Sequence, residues 1–98
     1  MITILEKDHQ KALDFLQELL DDWYDPIPPV DISGIGEEMY RCLKTEFGME
    51  LPDVSNEILS SMNDLVEQAL SDGEEGKWAC DYIFTILEDE ELIRIVKW

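Results

Sequence analysis

His9, Cys42, Cys80 and a large excess of carboxylates are the residues of this chain whose types could do chemistry. An enzyme of this size would need a nucleophile, a tuned acid or base, or a metal. His9 is the single histidine, and its neighbours Lys7, Asp8, Gln10 and Lys11 read as the solvent face of a helix rather than a catalytic pocket. Cys42 and Cys80 lie among apolar residues at helical spacing, with no further cysteine or histidine at metal-ligand spacing, so they read as packed thiols. Calcium would require oxygen ligands at alternating positions and a distal glutamate. The runs Asp21-Asp22-Trp23-Tyr24-Asp25-Pro26 and Asp72-Gly73-Glu74-Glu75-Gly76 offer neither. Gly34 and Gly36 are not followed by the Gly-Lys-Ser pattern of a phosphate loop. The expectation is a protein that is not an enzyme and holds no cofactor or metal.

The carboxylates point instead to binding. Glu18 to Glu38 and Asp53 to Glu75 contain seven acids each and no Lys or Arg, within a chain whose net charge is −17. Mixed charges would serve solubility better, and like charges on a compact body repel one another, so this excess implies a positively charged partner. Asp21, Asp22, Trp23, Tyr24 and Asp25 combine acids with aromatic anchors and form the first candidate partner-binding patch, with Asp72, Glu74 and Glu75 the second. Acids at the end of the first helix oppose its dipole, which marks Asp21, Asp22 and Asp25 as the ones local structure explains least. The expected partner is a basic protein. Direct nucleic-acid binding is disfavoured because the seven basic residues are dispersed. No apolar run reaches the roughly 20 residues of a membrane span, and the first residues lack a secretory pattern, so the expected location is the cytoplasm.

The elements that must position these residues read as one domain, an all-α bundle of four to five helices. Its apolar content of 45 % supports one modest core. Leu5, Ala12, Leu13, Leu16, Leu19, Leu20 and Trp23 share a helical face from Ile4 to Tyr24, with Thr3 and Glu6 spaced as a capping box. Ile2 to Leu5 reads alternatively as a short strand, and Asp25-Pro26-Ile27-Pro28-Pro29 ends the helix. A second helix runs from Ile35 to Phe47, with Ser33 as cap and Gly48 closing it. Apolar spacing from Val54 to Leu70 is helical, either unbroken or divided at Ser60-Ser61. The run from Trp78 to Leu87 leaves little polar face and reads as the most buried helix. Glu91 to Trp98 mixes helical spacing with β-branched Ile93, Ile95 and Val96, and could pair with Ile2 to Leu5 as a terminal strand pair.

Residues 31 to 70 resemble part of an acyl or peptidyl carrier protein. The segment Asp31-Ile32-Ser33, followed by a helix ending Glu46-Phe47-Gly48-Met49-Glu50-Leu51-Pro52-Asp53, is similar to the carrier helix that begins at the modified serine. Ile58-Leu59-Ser60-Ser61-Met62 is similar to the family's short third helix and polar break. The resemblance implies a phosphopantetheine arm on Ser33, with Glu37, Glu38, Glu46 and Glu50 as docking acids. The acid before the family's serine and the apolar residue after it are replaced here by Ile32 and Gly34. In size, charge and helical character the whole chain resembles bacterial immunity proteins of the colicin or contact-dependent inhibition type. That resemblance implies an inhibitor that neutralises a toxin nuclease.

Overall fold

Residues 1–23 and 34–97 are described by a computed structural model; the side chain of Trp23 lies outside that description, as do Tyr24, Asp25, Ser33 and Trp98. The elements are β1 (Ile2–Leu5), α1 (Glu6–Trp23), α2 (Ile35–Thr45), α3 (Asn56–Ser71), α4 (Gly76–Asp89) and β2 (Ile93–Val96). The described residues thus form four helices and one small parallel sheet, in which Ile2 pairs with Ile93 and Leu5 with Val96. The terminal strand pair is realised, and the Thr3–Glu6 capping box is not, because Thr3 is extended within β1 and the helix begins at Glu6. Pairing decides this choice: β-branched residues on both strands suit a pleated ladder.

The second helix starts at Ile35 with no cap from a local side chain. Gly34 occupies the N-cap position at φ 76, a left-handed conformation that favours glycine. α2 ends at Thr45, two residues earlier than the apolar spacing implies, and Gly48 at φ 79 turns the chain away as expected. α3 runs unbroken through Ser60 and Ser61, both exposed, and its cap is Ser55, whose hydroxyl accepts from the Ile58 amide at 3.3 Å. The uninterrupted apolar face of Met62, Val66, Ala69 and Leu70 outweighs the weak local competition that two serines offer.

Each helix packs against its neighbour in the order α2, α3, α4, α1, and successive neighbours run antiparallel. α4 is central: Ala79, Cys80, Ile83, Phe84 and Leu87 are fully buried. They meet Leu13, Leu16 and Leu20 of α1 and Met62 and Val66 of α3 in one core. No polar or charged residue is buried among the described residues.

Two helix starts are completed by side chains from the next helix. Glu67 of α3 accepts from the Gly34 amide at 3.0 Å, and Asn63 accepts from the Glu37 amide at 2.6 Å. Gln17 of α1 accepts from the Lys77 amide at 2.9 Å at the start of α4. The first amides of a helix need such acceptors. Here tertiary contacts supply what neither local sequence provides.

Candidate functional site

The antiparallel pairing of α1 with α4 brings the two sequence-separated acidic patches to one end of the bundle. Leu20 and Gln17 of α1 lie against Gly76, where an added Cβ would stand 2.7 Å from Leu20 Cδ1 and 3.0 Å from Gln17 Oε1. Gln17 also donates from Nε2 to Asp21 Oδ1 at 3.0 Å, so one side chain ties Asp21 to the beginning of α4. Asp21 and Asp22 at the end of α1 therefore lie at the same end of the bundle as the turn carrying Asp72, Glu74 and Glu75, and all five are exposed. Gln68 holds Asp72 in the same way, donating at 3.0 Å from one turn earlier. Neither α1 nor α3 has a basic residue in its last turn. Because the helices alternate in direction, their dipoles largely cancel, and the field at this end is that of the side chains. Tyr24 and Asp25 of the first candidate patch, and the Trp23 side chain, fall outside the described residues.

An aromatic side chain does stand at this end, and it is one that apolar spacing had grouped with the core. Trp78 is 47 % exposed because it lies on the opposite face of α4 from Ala79, Cys80 and Ile83, together with Tyr82 and Thr85. Lys77 Nζ lies 5.1 Å from the Trp78 ring centroid, and the Tyr82 hydroxyl donates to Glu74 at 3.4 Å. The periodicity of the helix contained this information: a turn-by-turn count separates Trp78 and Tyr82 from the buried stripe. Lys77 is the basic residue of this end. Lys7 and Lys11 lie on the first half of α1, Arg41 and Lys44 on the last half of α2, and Arg94 and Lys97 at or beyond β2.

His9 is not on the solvent face. Its side chain is 13 % exposed, donates from Nε2 to Asp81 Oδ1 at 2.7 Å, and meets the Phe84 ring edge-on with centroids 4.6 Å apart. The contact residues lie 72 positions or more away in sequence, so no local pattern around His9 could reveal them. The pair resembles a base with its orienting acid, but the neighbouring thiol is unsuited to nucleophilic attack. Burial, reinforced by Asp81, pushes the Cys80 thiol up to about 12, the opposite of an activated cysteine. The arrangement ties α1 to α4. Among the described residues, no group of three or more His, Cys, Asp or Glu side chains is placed to hold a metal ion.

The acids that the carrier resemblance marks for docking have separate environments. Glu38 pairs with Arg41 one turn on, Glu46 caps the end of α2, and Glu50 is exposed in the connector. Beside them, Tyr40 is buried and donates its hydroxyl to the Pro52 carbonyl, while Lys44 pairs with Asp53 at 2.6 Å. The hydrogen bond and charge of Lys44 hold the Asp53 carboxyl below its usual range. Burial, with the Asp53 charge adding to it, pushes Tyr40 up to about 12. Ser33 lies outside the described residues.

Tyr40 and Cys80 together predict the alkaline limit of the fold. Each binds its proton more tightly folded than unfolded, with values of about 12 against ordinary ones of 10.0 and 9.0. Their contribution is therefore complete below the unfolded values and lost as pH rises through the folded ones. Thermal denaturation should show a Tm that is level up to about pH 9 and declines from there towards pH 12, with Tyr40→Phe flattening the upper part of the decline. A Tm unchanged through this interval would contradict these proton affinities.

Comparison with known proteins finds no family model that matches the chain, and no curated protein or solved structure significantly similar to it. No helix among the described residues is long and apolar enough to cross a membrane. The fold and site describe a small, mostly helical protein that exposes acids at both ends, with Asp21, Asp22, Asp72, Glu74 and Glu75 around Trp78 at one and Glu88 to Glu91 at the other.

Proposed function

We propose that this is a non-enzymatic binding protein of the bacterial cytoplasm, an immunity or inhibitor protein whose acidic end occupies the basic active site of a toxin nuclease. The observation that carries the reading is the placement of Asp21, Asp22, Asp72, Glu74 and Glu75, all exposed, at the same end of the bundle as the exposed Trp78. A nuclease holds phosphates with Lys and Arg, and a carboxylate array meets those groups with charge-assisted hydrogen bonds. The net charge of −17 steers such a partner from a distance and accelerates encounter. Trp78 supplies what charge alone does not, an aromatic surface on which a partner's guanidinium can stack in place of Lys77. Tight complexes concentrate their energy in such anchors.

The test is recovery of a basic protein by pull-down at low salt, followed by association kinetics with the recovered partner. Combined Asp21→Lys, Asp22→Lys and Glu74→Lys substitutions should slow association about tenfold or more at low ionic strength, with the difference shrinking as salt is added. Trp78→Ala should leave association nearly unchanged and accelerate dissociation, at a loss of about 2 kcal/mol. If no basic protein is recovered, or if charge reversal leaves the association rate unaltered, the reading fails.

A further inference from the structure

The sheet at the other end of α1 offers a binding feature of a different kind. In a parallel ladder each residue directs its amide and carbonyl to the same side, and successive residues alternate. The Ile2 amide donates to the Leu92 carbonyl at 3.2 Å, and the register places Ile2 opposite Ile93 and Ile4 opposite Ile95. Ile2 and Ile4 thus spend their backbone groups on β2. The amide and carbonyl of Thr3 face the opposite way, and among the described residues the sheet has no third strand to receive them. An unpaired edge of this sort is a template for another extended chain.

A cleft of about 330 Å³ lies along β1, and β2 does not contribute to it. Its walls are Ile2, Thr3 and Ile4 on one side and the segment from Phe47 to Glu50 after α2 on the other, with Asp8 completing it. The apolar lining comes from Ile2, Ile4, Phe47 and Met49, and the charged lining residues, Asp8 and Glu50, are both acidic. We propose that the outer edge of β1 and this cleft form a strand-addition site for an extended polypeptide segment of a partner, with apolar and basic side chains in alternation. Main-chain hydrogen bonds to Thr3 supply affinity, and the two kinds of lining select side chains of matching kind on alternate positions. The full length of α1 separates this cleft from the acidic end, so the site is independent of the proposed function. A second copy of the chain is a poor occupant, because a charge of −17 on each copy opposes close approach.

The probe is an acetylated and amidated pentapeptide alternating lysine and valine, titrated into the intact protein and followed by amide NMR shifts. Binding should move the signals of Thr3, Asp8, Gly48 and Met49 and slow hydrogen exchange at the Thr3 amide. Methylating the central amide of the peptide, or making Thr3→Pro in the protein, should weaken binding about tenfold, the effect of one lost hydrogen bond. Proline is tolerated on a strand edge whose amide faces outward. Circular dichroism checks that the variant is folded; if it is not, the methylated peptide decides. Shifts confined to the acidic end around Glu74 and Trp78, or equal binding of the methylated peptide, overturn the proposal. It is also overturned if the protein alone sediments as a dimer that Thr3→Pro dissociates, since the edge would then belong to a second copy.

Discussion

Gly36→Ala lowers the unfolding free energy by about 3 kcal/mol, a large part of the stability of a domain this size. A Cβ at this position would lie 2.6 Å from the carbonyl carbon and oxygen of Met62 and 2.7 Å from the Asn63 amide nitrogen. These are backbone atoms of α3 and cannot turn aside as a flexible side chain would. The alanine gains roughly 1 kcal/mol of helix propensity, which favours the variant in an isolated helix. To make room, however, α2 must move away from α3, stretching the bonds from Gly34 to Glu67 and from Glu37 to Asn63. Each is worth about 1 kcal/mol, and overpacking adds about 1–3 kcal/mol. Gly76→Ala is the control. Its nearest obstacles are the ends of two flexible side chains, Leu20 and Gln17, and not backbone, so the loss should be the smaller, about 1 kcal/mol. Urea denaturation of the two variants should rank them clearly; equal midpoints would mean that α2 and α3 are not in close backbone contact at Gly36.

Phe84→Ala is expected to cost about 3–5 kcal/mol, through lost transfer energy and the cavity left behind. Phe84 is fully buried on the helix that contacts both α1 and α3. Its ring also receives the edge of His9, at an interplanar angle of 67°, while His9 is held by Asp81. Removing the ring therefore deprives a partly buried polar side chain of its packing as well as emptying the core. A double-mutant cycle with His9→Ala should give a coupling of about 0.5–1.5 kcal/mol. Thr85→Ala, one residue further and exposed, should change stability by less than about 0.5 kcal/mol. A Phe84 variant that unfolds at the same denaturant concentration as Thr85→Ala would refute the central place of α4 in the core.

The helical segments were legible because burial imposes a period on the chain. Leu13, Leu16 and Leu20 in α1, Met39 and Leu43 in α2, and Met62, Val66 and Leu70 in α3 all stand where apolar spacing puts them and are buried. Gly48 was equally readable, since a left-handed residue after a helix selects glycine. Ile2–Leu5 was ambiguous for a physical reason: four residues cannot distinguish a strand from a helix turn, and the choice depends on Ile93–Val96 at the other end of the chain. The single helix from Asn56 to Ser71 was also undecided, because serines at its middle compete locally for backbone amides while the core rewards continuity.

The candidate site divides in the same way. By itself the sequence determined that the protein is acidic to an unusual degree and that its acids fall in two long stretches without a neutralising base, since charge and order are properties of the chain. It also carried the helical pattern on which the bundle rests, because that pattern arises from side chains repeating along one helix. Only the tertiary structure decided that Asp21 and Asp22 share an end of the bundle with Asp72, Glu74 and Glu75, that Trp78 stands exposed at that end, and that His9 turns inward to Asp81. It likewise decided that Glu67, Asn63 and Gln17 complete the starts of other helices. Each of these depends on the antiparallel docking of elements far apart in sequence, and such docking follows from the packing of whole faces, which no local spacing records.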